Sequence, residues 1–160
     1  MRKPGNFICK PFPAEERRAS EKMLPENPNF RPAVLCRGEE FRGILFYWES
    51  REFIFLEHFT IEPRLQNGGL GAKALALLKE LGKPIILEIE LPEDSWKRRR
   101  KAFYEHNGFW ENPWQHIQPK YRRSDKDLAL MLLSYPAAIT EDTWQRFETF
   151  LEENVTFREG

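Results

Sequence analysis

Phe53-Ile54-Phe55-Leu56-Glu57-His58-Phe59-Thr60-Ile61, followed after a polar turn by Gln66-Asn67-Gly68-Gly69-Leu70-Gly71-Ala72, is the stretch that decides how this chain folds. The first segment is an apolar strand, and the glycines open a helix. Glycines let backbone N–H groups converge on an anion, and a helix N-terminus carries partial positive charge. Strand, glycine-rich turn and helix in that order predict a cradle for a pyrophosphate. The helix itself shows in Leu70, Ala74, Leu77, Leu78 and Leu81, one face at the 3.6-residue period, with Gly82 and Pro84 as its stop.

Upstream, Pro32 to Arg37 and Phe41 to Trp48 read as two strands about a Gly38-Glu39-Glu40 turn, so with the Phe53 strand they predict an antiparallel meander. Asn6 to Lys10 offers one brief strand, and Pro13 to Met23 a helix that opens on a proline and acids. Downstream, Ile85 to Leu91 is a β-branched apolar strand. Asp94 or Ser95 caps a helix carrying Trp96, Phe103 and Tyr104, which ends at Asn107-Gly108. Phe109-Trp110 starts a strand, Pro113 to Lys120 reads as irregular, Leu128 to Tyr135 as a strand, and Glu141 to Glu153 as a helix with Trp144, Phe147 and Leu151 on one face.

The chain has 160 residues, 41% of them hydrophobic, enough for a single core, so one domain over 1–160 is expected. Lys plus Arg and Asp plus Glu balance at 25 each, which leaves no overall basic field for nucleic acid or an anionic membrane. No apolar run approaches the roughly 20 residues that span a bilayer. Cys9 and Cys36 make no disulfide framework and no metal-type spacing, so a cytoplasmic protein without a catalytic metal is expected.

Two nucleotide readings compete for the glycines. Gly69-Leu70-Gly71-Ala72-Lys73-Ala74 satisfies G-x-G-x-x-A, with Glu88 or Glu90 about 20 residues on, as an NAD(P)-dependent oxidoreductase would require. Against it, that fingerprint belongs in the first tight βα turn of a doubly wound parallel sheet, whereas here three antiparallel strands come first. The Walker A pattern fails because no Lys-Ser or Lys-Thr follows. The second reading is a resemblance. Gln66-Asn67-Gly68-Gly69-Leu70-Gly71 is similar to the Q/R-x-x-G-x-G/A signature of the GNAT (GCN5-related) N-acetyltransferases, and Tyr104-Glu105-His106-Asn107-Gly108-Phe109 resembles their Y-E-x-x-G-F element. The similarity runs from about Phe41 to Pro136. It implies an α+β fold, a bent, mostly antiparallel sheet whose parallel central strands splay, flanked by helices, with the family's N-terminal strand and helix shortened. It also implies acetyl-CoA as co-substrate.

In that family pattern, pyrophosphate lies on backbone amides from Asn67 to Ala72, thus Asn67, Gly68, Gly69, Leu70, Gly71 and Ala72, with Gln66 shaping the loop, and pantetheine lies against Phe59, Thr60 and Ile61. Strand alternation puts Glu57 on the face of Phe59 and Ile61, where the resemblance implies a general base; burial would raise its pKa toward a useful value. Glu88 and Glu90 are alternatives for the base and could instead hold an acceptor's cation. Tyr104 matches the tyrosine that protonates the departing thiolate, and the amide of Phe59 or Thr60 would polarise the acetyl carbonyl. Lys97 stands where the family usually has an asparagine, and the run Lys97 to Lys101 reads as a solvated helix face. Tyr47, Trp48, Trp110, Trp114 and Tyr121 are candidates to line an acceptor pocket. The expected partner is a small-molecule or peptide amine, with a homodimer also open. A catalytically silent CoA-binding or regulatory module is the alternative from another class.

Overall fold

In a computed structural model of the chain, residues 8–10, 27–62, 69–114, 116–118 and 128–155 are described. The chain divides into two compact units, Met1–Ile85 and Ile86–Gly160. In the first, β1 (Ile8–Lys10), β2 (Phe30–Arg37), β3 (Glu40–Glu49) and β4 (Ile54–Ile61) pair antiparallel in chain order. The meander thus stands as the sequence implies, with Gly38 taking the left-handed turn position at φ 63°. The helix expected over Pro13 to Met23 lies outside the described residues.

Besides a register shift between β1 and β2, two bulges shape β3 and β4. The register steps from Leu35↔Gly43 to Cys36↔Phe41, leaving Arg42 as the extra residue of β3. It steps again from Phe46↔His58 to Tyr47↔Leu56, leaving Glu57 as the extra residue of β4. An unpaired residue bends its strand and re-aims the side chains around it. At Gly43 β3 lies close against β4: a Cβ there would lie 2.3 Å from the Thr60 carbonyl oxygen, so only glycine fits. Leu35, Leu45, Ile54 and Phe55 fill the core with Trp48, whose ring lies 4.9 Å from that of Phe30. Cys36, buried on β2, is disulfide-bonded.

Helix α1 (Leu70–Lys79) follows, and Gly82 at φ 76° ends it as the sequence implies. Its buried face is Gly71, Ala74, Leu75 and Leu78, with Leu81 42% exposed. The expected stripe through Leu70, Leu77 and Leu81 is therefore rotated. The segment is apolar nearly all round, so periodicity alone does not select a face.

The second unit contains β5 (Ile85–Glu90), α2 (Ser95–His106), β6 (Trp110–Glu111), β7 (His116–Gln118), β8 (Leu128–Tyr135) and α3 (Glu141–Phe150), the last continuing as a π-helical turn over Leu151–Val155. β8 is the centre: β5 neighbours it, and β6 and β7 pair antiparallel with it. Asp94 is the cap of α2, its Oδ1 accepting from Lys97 N at 2.8 Å, and Gly108 at φ 93° follows the helix end. β7 corrects the expectation that Pro113 to Lys120 is irregular: the backbone of β8 organises it through His116↔Leu130, Ile117↔Ala129 and Gln118↔Leu128. Buried Asn112 ties the unit together, donating from Nδ2 to Ser134 Oγ (2.9 Å) and Leu132 O (3.2 Å) and accepting from Ile139 N (2.8 Å). Thr140 caps α3, which buries Phe147, and Leu151 of the π-helical turn is buried too. Among the described residues no helix is long and apolar enough to cross a membrane.

Candidate functional site

The site residues of the first unit lie on β4 and the start of α1. Past the bulge, Glu57 and Phe59 are half-buried and Ile61 is buried, while His58 and Thr60 are exposed, so the expected alternation is seen. Glu57 accepts a hydrogen bond from Trp48 Nε1 at 3.0 Å. That indole is itself in the core, so it holds the carboxylate from an immobile donor, and Trp48 is a core residue rather than the lining of a pocket. His58 meets the ring of Phe46 edge-on at 6.1 Å.

Gly69 stands at φ 77°, a conformation that strongly favours glycine, and turns the chain into α1. Among the described residues no side chain caps this helix, and its first turn has no acidic residue. The Lys73 amide bonds Gly69 O, so the amides of Leu70, Gly71 and Ala72 precede the intrahelical ladder. These are the donors an anion would use. Gln66, Asn67 and Gly68 lie outside the described residues.

In the second unit Tyr104 is 4% exposed, clamped between Phe103 (centroids 5.2 Å) and Phe109 (5.5 Å). No hydrogen bond to a described residue engages its hydroxyl. Burial pushes the phenol above its ordinary pKa, with the nearby Arg100 guanidinium opposing, so the group is a proton donor at neutral pH. Phe109 N bonds Tyr104 O at 3.1 Å, which closes the turn at Asn107-Gly108.

The two other acidic candidates are engaged. Glu90 pairs with Lys97 at 2.8 Å, a contact that raises the lysine pKa. Glu88 bonds the Nε2 of His116, and His116 Nδ1 lies 2.6 Å from Glu148 on α3. His116 and Glu148 were not legible as partners, since the histidine falls in the segment read as irregular. Among the aromatic candidates, Trp114 stacks on Trp144 (5.3 Å, 10°), Trp110 is 58% exposed, Tyr47 is half-buried, and Tyr121 lies outside the described residues. Among the described residues no group of three or more His, Cys, Asp or Glu side chains could hold a metal ion.

No family profile matches the sequence. YjbC of Bacillus subtilis (strain 168), provisionally named an acetyltransferase, is 32% identical over 103 residues, which are 61% of this chain and 52% of YjbC. The chain thus spans about half the length of the curated relative it matches. A protein of Bacteroides thetaiotaomicron, provisionally named a GNAT-family acetyltransferase, superposes with a TM-score of 0.76 at 27% identity over 98% of this chain and 86% of its own. A provisionally named streptothricin acetyltransferase of Bacillus anthracis str. Ames, solved with acetyl coenzyme A, shares the fold at TM-score 0.51 and 17% identity, over 68% and 63% of the two chains. The mixed sheet with its helices is the acyl-CoA N-acyltransferase fold. In sequence the chain is similar to a provisionally named acetyltransferase, and in fold to a provisionally named GNAT-family acetyltransferase.

Proposed function

We propose that this protein transfers an acetyl group from acetyl-CoA directly to an amine, acting as one GNAT domain. The observation that carries the reading is the first turn of α1 behind Gly69 at φ 77°, downstream of β4, where among the described residues no side chain caps the three leading backbone amides, the donors offered to a pyrophosphate. With Asn67 and Gly68 they form the cradle, and Gln66 shapes it. Pantetheine runs along Phe59, Thr60 and Ile61. The provisional names of the relatives support an acetyl donor.

The chemistry needs a neutral amine, a polarised carbonyl and a protonated leaving group. Glu57 takes the proton from the amine, directly or through water, and Trp48 fixes the carboxylate for that task. The amine nitrogen attacks the thioester carbon, and the developing oxyanion is stabilised by the amide of Phe59 or Thr60. When the C–S bond breaks, Tyr104 gives its proton to the sulfur. Glu57 is preferred to Glu88 and Glu90 because it lies on β4 with Phe59 and Ile61, the strand on which the family resemblance puts the base.

Thermal unfolding with ligands tests this. A ligand at 100 times its Kd stabilises by about 2.7 kcal/mol, so CoA and acetyl-CoA raise Tm by several degrees while NADH leaves it unchanged. No shift with either CoA form overturns the reading. A shift for CoA without acetyl transfer to spermidine, benzylamine or a free-amine peptide would instead indicate a CoA-binding module.

A further inference from the structure

The second unit holds a buried titratable cluster that the proposed chemistry does not use. His116 on β7 has a side chain with no solvent exposure. Its Nδ1 lies 2.6 Å from Glu148 Oε1 on α3, and its Nε2 meets Glu88 Oε2 on β5. The Glu88 side chain is 8% exposed and that of Glu148 35%. Trp144 Nε1 donates to the same Glu148 oxygen at 3.1 Å, and the Phe147 ring lies 6.0 Å from the imidazole. From β8 the residue opposite is Leu130. Among the described residues the charged groups that act on the ring are Glu88 from β5 and Glu148 from α3.

A neutral imidazole carries one N–H and can satisfy one of these two carboxylates, turning a lone pair toward the other. Only an imidazolium donates to both. Three elements distant in sequence thus meet on one ring whose proton count decides how many of them it can hold. We propose that His116 is a proton-operated clasp: as an imidazolium it fastens the C-terminal helix α3 to strand β5 through Glu148 and Glu88, and on losing its proton it lets α3 loosen. Glu148 is the joint that opens, because its partly exposed carboxylate can be taken up by water while Glu88 stays buried. The clasp stands on this geometry and does not depend on acetyl transfer.

The two carboxylates outweigh the burial that opposes charge and raise His116 to about 9. A raised histidine stabilises below its unfolded value of 6.5 and loses that contribution as pH climbs through the folded value. The clasp is closed at neutral pH and opens in the alkaline range.

The experiment reads imidazole nitrogen shifts by NMR and amide hydrogen-exchange protection from pH 6 to 10.5 on the full chain. The expected result is a doubly protonated ring at pH 7, with protection of residues 141–155 falling at least tenfold through the His116 titration while that of β2 to β4 holds. In Glu148→Gln the midpoint falls by at least one pH unit and the step in helix protection goes with it. A neutral ring at pH 7, an unmoved midpoint in Glu148→Gln, or helix protection that does not follow the titration overturns the clasp. His116→Gln serves as a second variant, expected to show low helix protection at every pH. Should it fail to fold, the wild-type titration and Glu148→Gln still decide.

Discussion

Replacing Gly43 by alanine tests the close approach of β3 to β4 and, through it, the strand proposed for pantetheine. The new Cβ would lie 2.3 Å from Thr60 O, 3.1 Å from Ile61 Cα and 3.2 Å from Thr60 C. All three are backbone atoms, so no side chain can swing aside, and the strands must part by roughly 1 Å to reach ordinary van der Waals contact. Overpacking of this kind costs about 1–3 kcal/mol, and at roughly 2–4 °C per kcal/mol for a chain of this size the expected fall in Tm is about 2–12 °C. Because Thr60 and Ile61 are the atoms displaced, acetyl-CoA affinity measured by calorimetry is expected to fall as well. Gly38→Ala is the comparison: it has nothing within 4 Å but a φ of +63°, so it carries backbone strain without crowding. That strain costs about 1–2 kcal/mol and leaves acetyl-CoA affinity intact. A Gly43→Ala protein melting within 1 °C of wild type, or losing no acetyl-CoA affinity while Tm falls, would refute the reasoning.

Tyr104→Phe and Glu57→Gln are each expected to lower kcat by about 10²–10⁴ with acetyl-CoA Kd unchanged; a loss confined to Kd would reassign both residues to binding. Asn112→Ala strands the Ile139 amide, while the Ser134 hydroxyl keeps its own bond to Ala137 O, costing about 1–3 kcal/mol, seen as a lower urea midpoint. From pH 7 to 10 the protein is expected to lose up to about 3 kcal/mol, since His116 is raised from 6.5 to about 9 and each pH unit is worth about 1.4 kcal/mol. Thermal melts would show this as a falling Tm, and the fall is smaller in His116→Gln.

The meander, the glycine turn and the strand-and-helix order after it were legible because each rests on local chemistry: alternation, Gly38 and Gly82 at positive φ, and the Asp94 cap. β7 was not, since three residues with a proline beside them carry no strand signal and take their form from the backbone of β8. The face of α1 was ambiguous because Ala72, Ala74, Leu75, Ala76, Leu77 and Leu78 spread apolar surface around the axis. At the candidate site, Glu57 and Tyr104 stood out by residue type and motif. What distinguishes Glu57 from Glu88 and Glu90 is tertiary: Trp48 reaches it across the β3–β4 pair, while His116 and Lys97 take the other two. No spacing rule encodes those contacts.

The bulge at Glu57 also constrains how such a strand can vary. Deleting that one residue would bring the pairs Phe46↔His58 and Tyr47↔Leu56 next to each other, so β4 would pair regularly with β3 and Ile54 to Leu56 would keep their partners and their faces. What would go is the local bend of the strand and the carboxylate that Trp48 Nε1 holds. The proposed base is thus carried by the one residue of β4 that its ladder with β3 does not need.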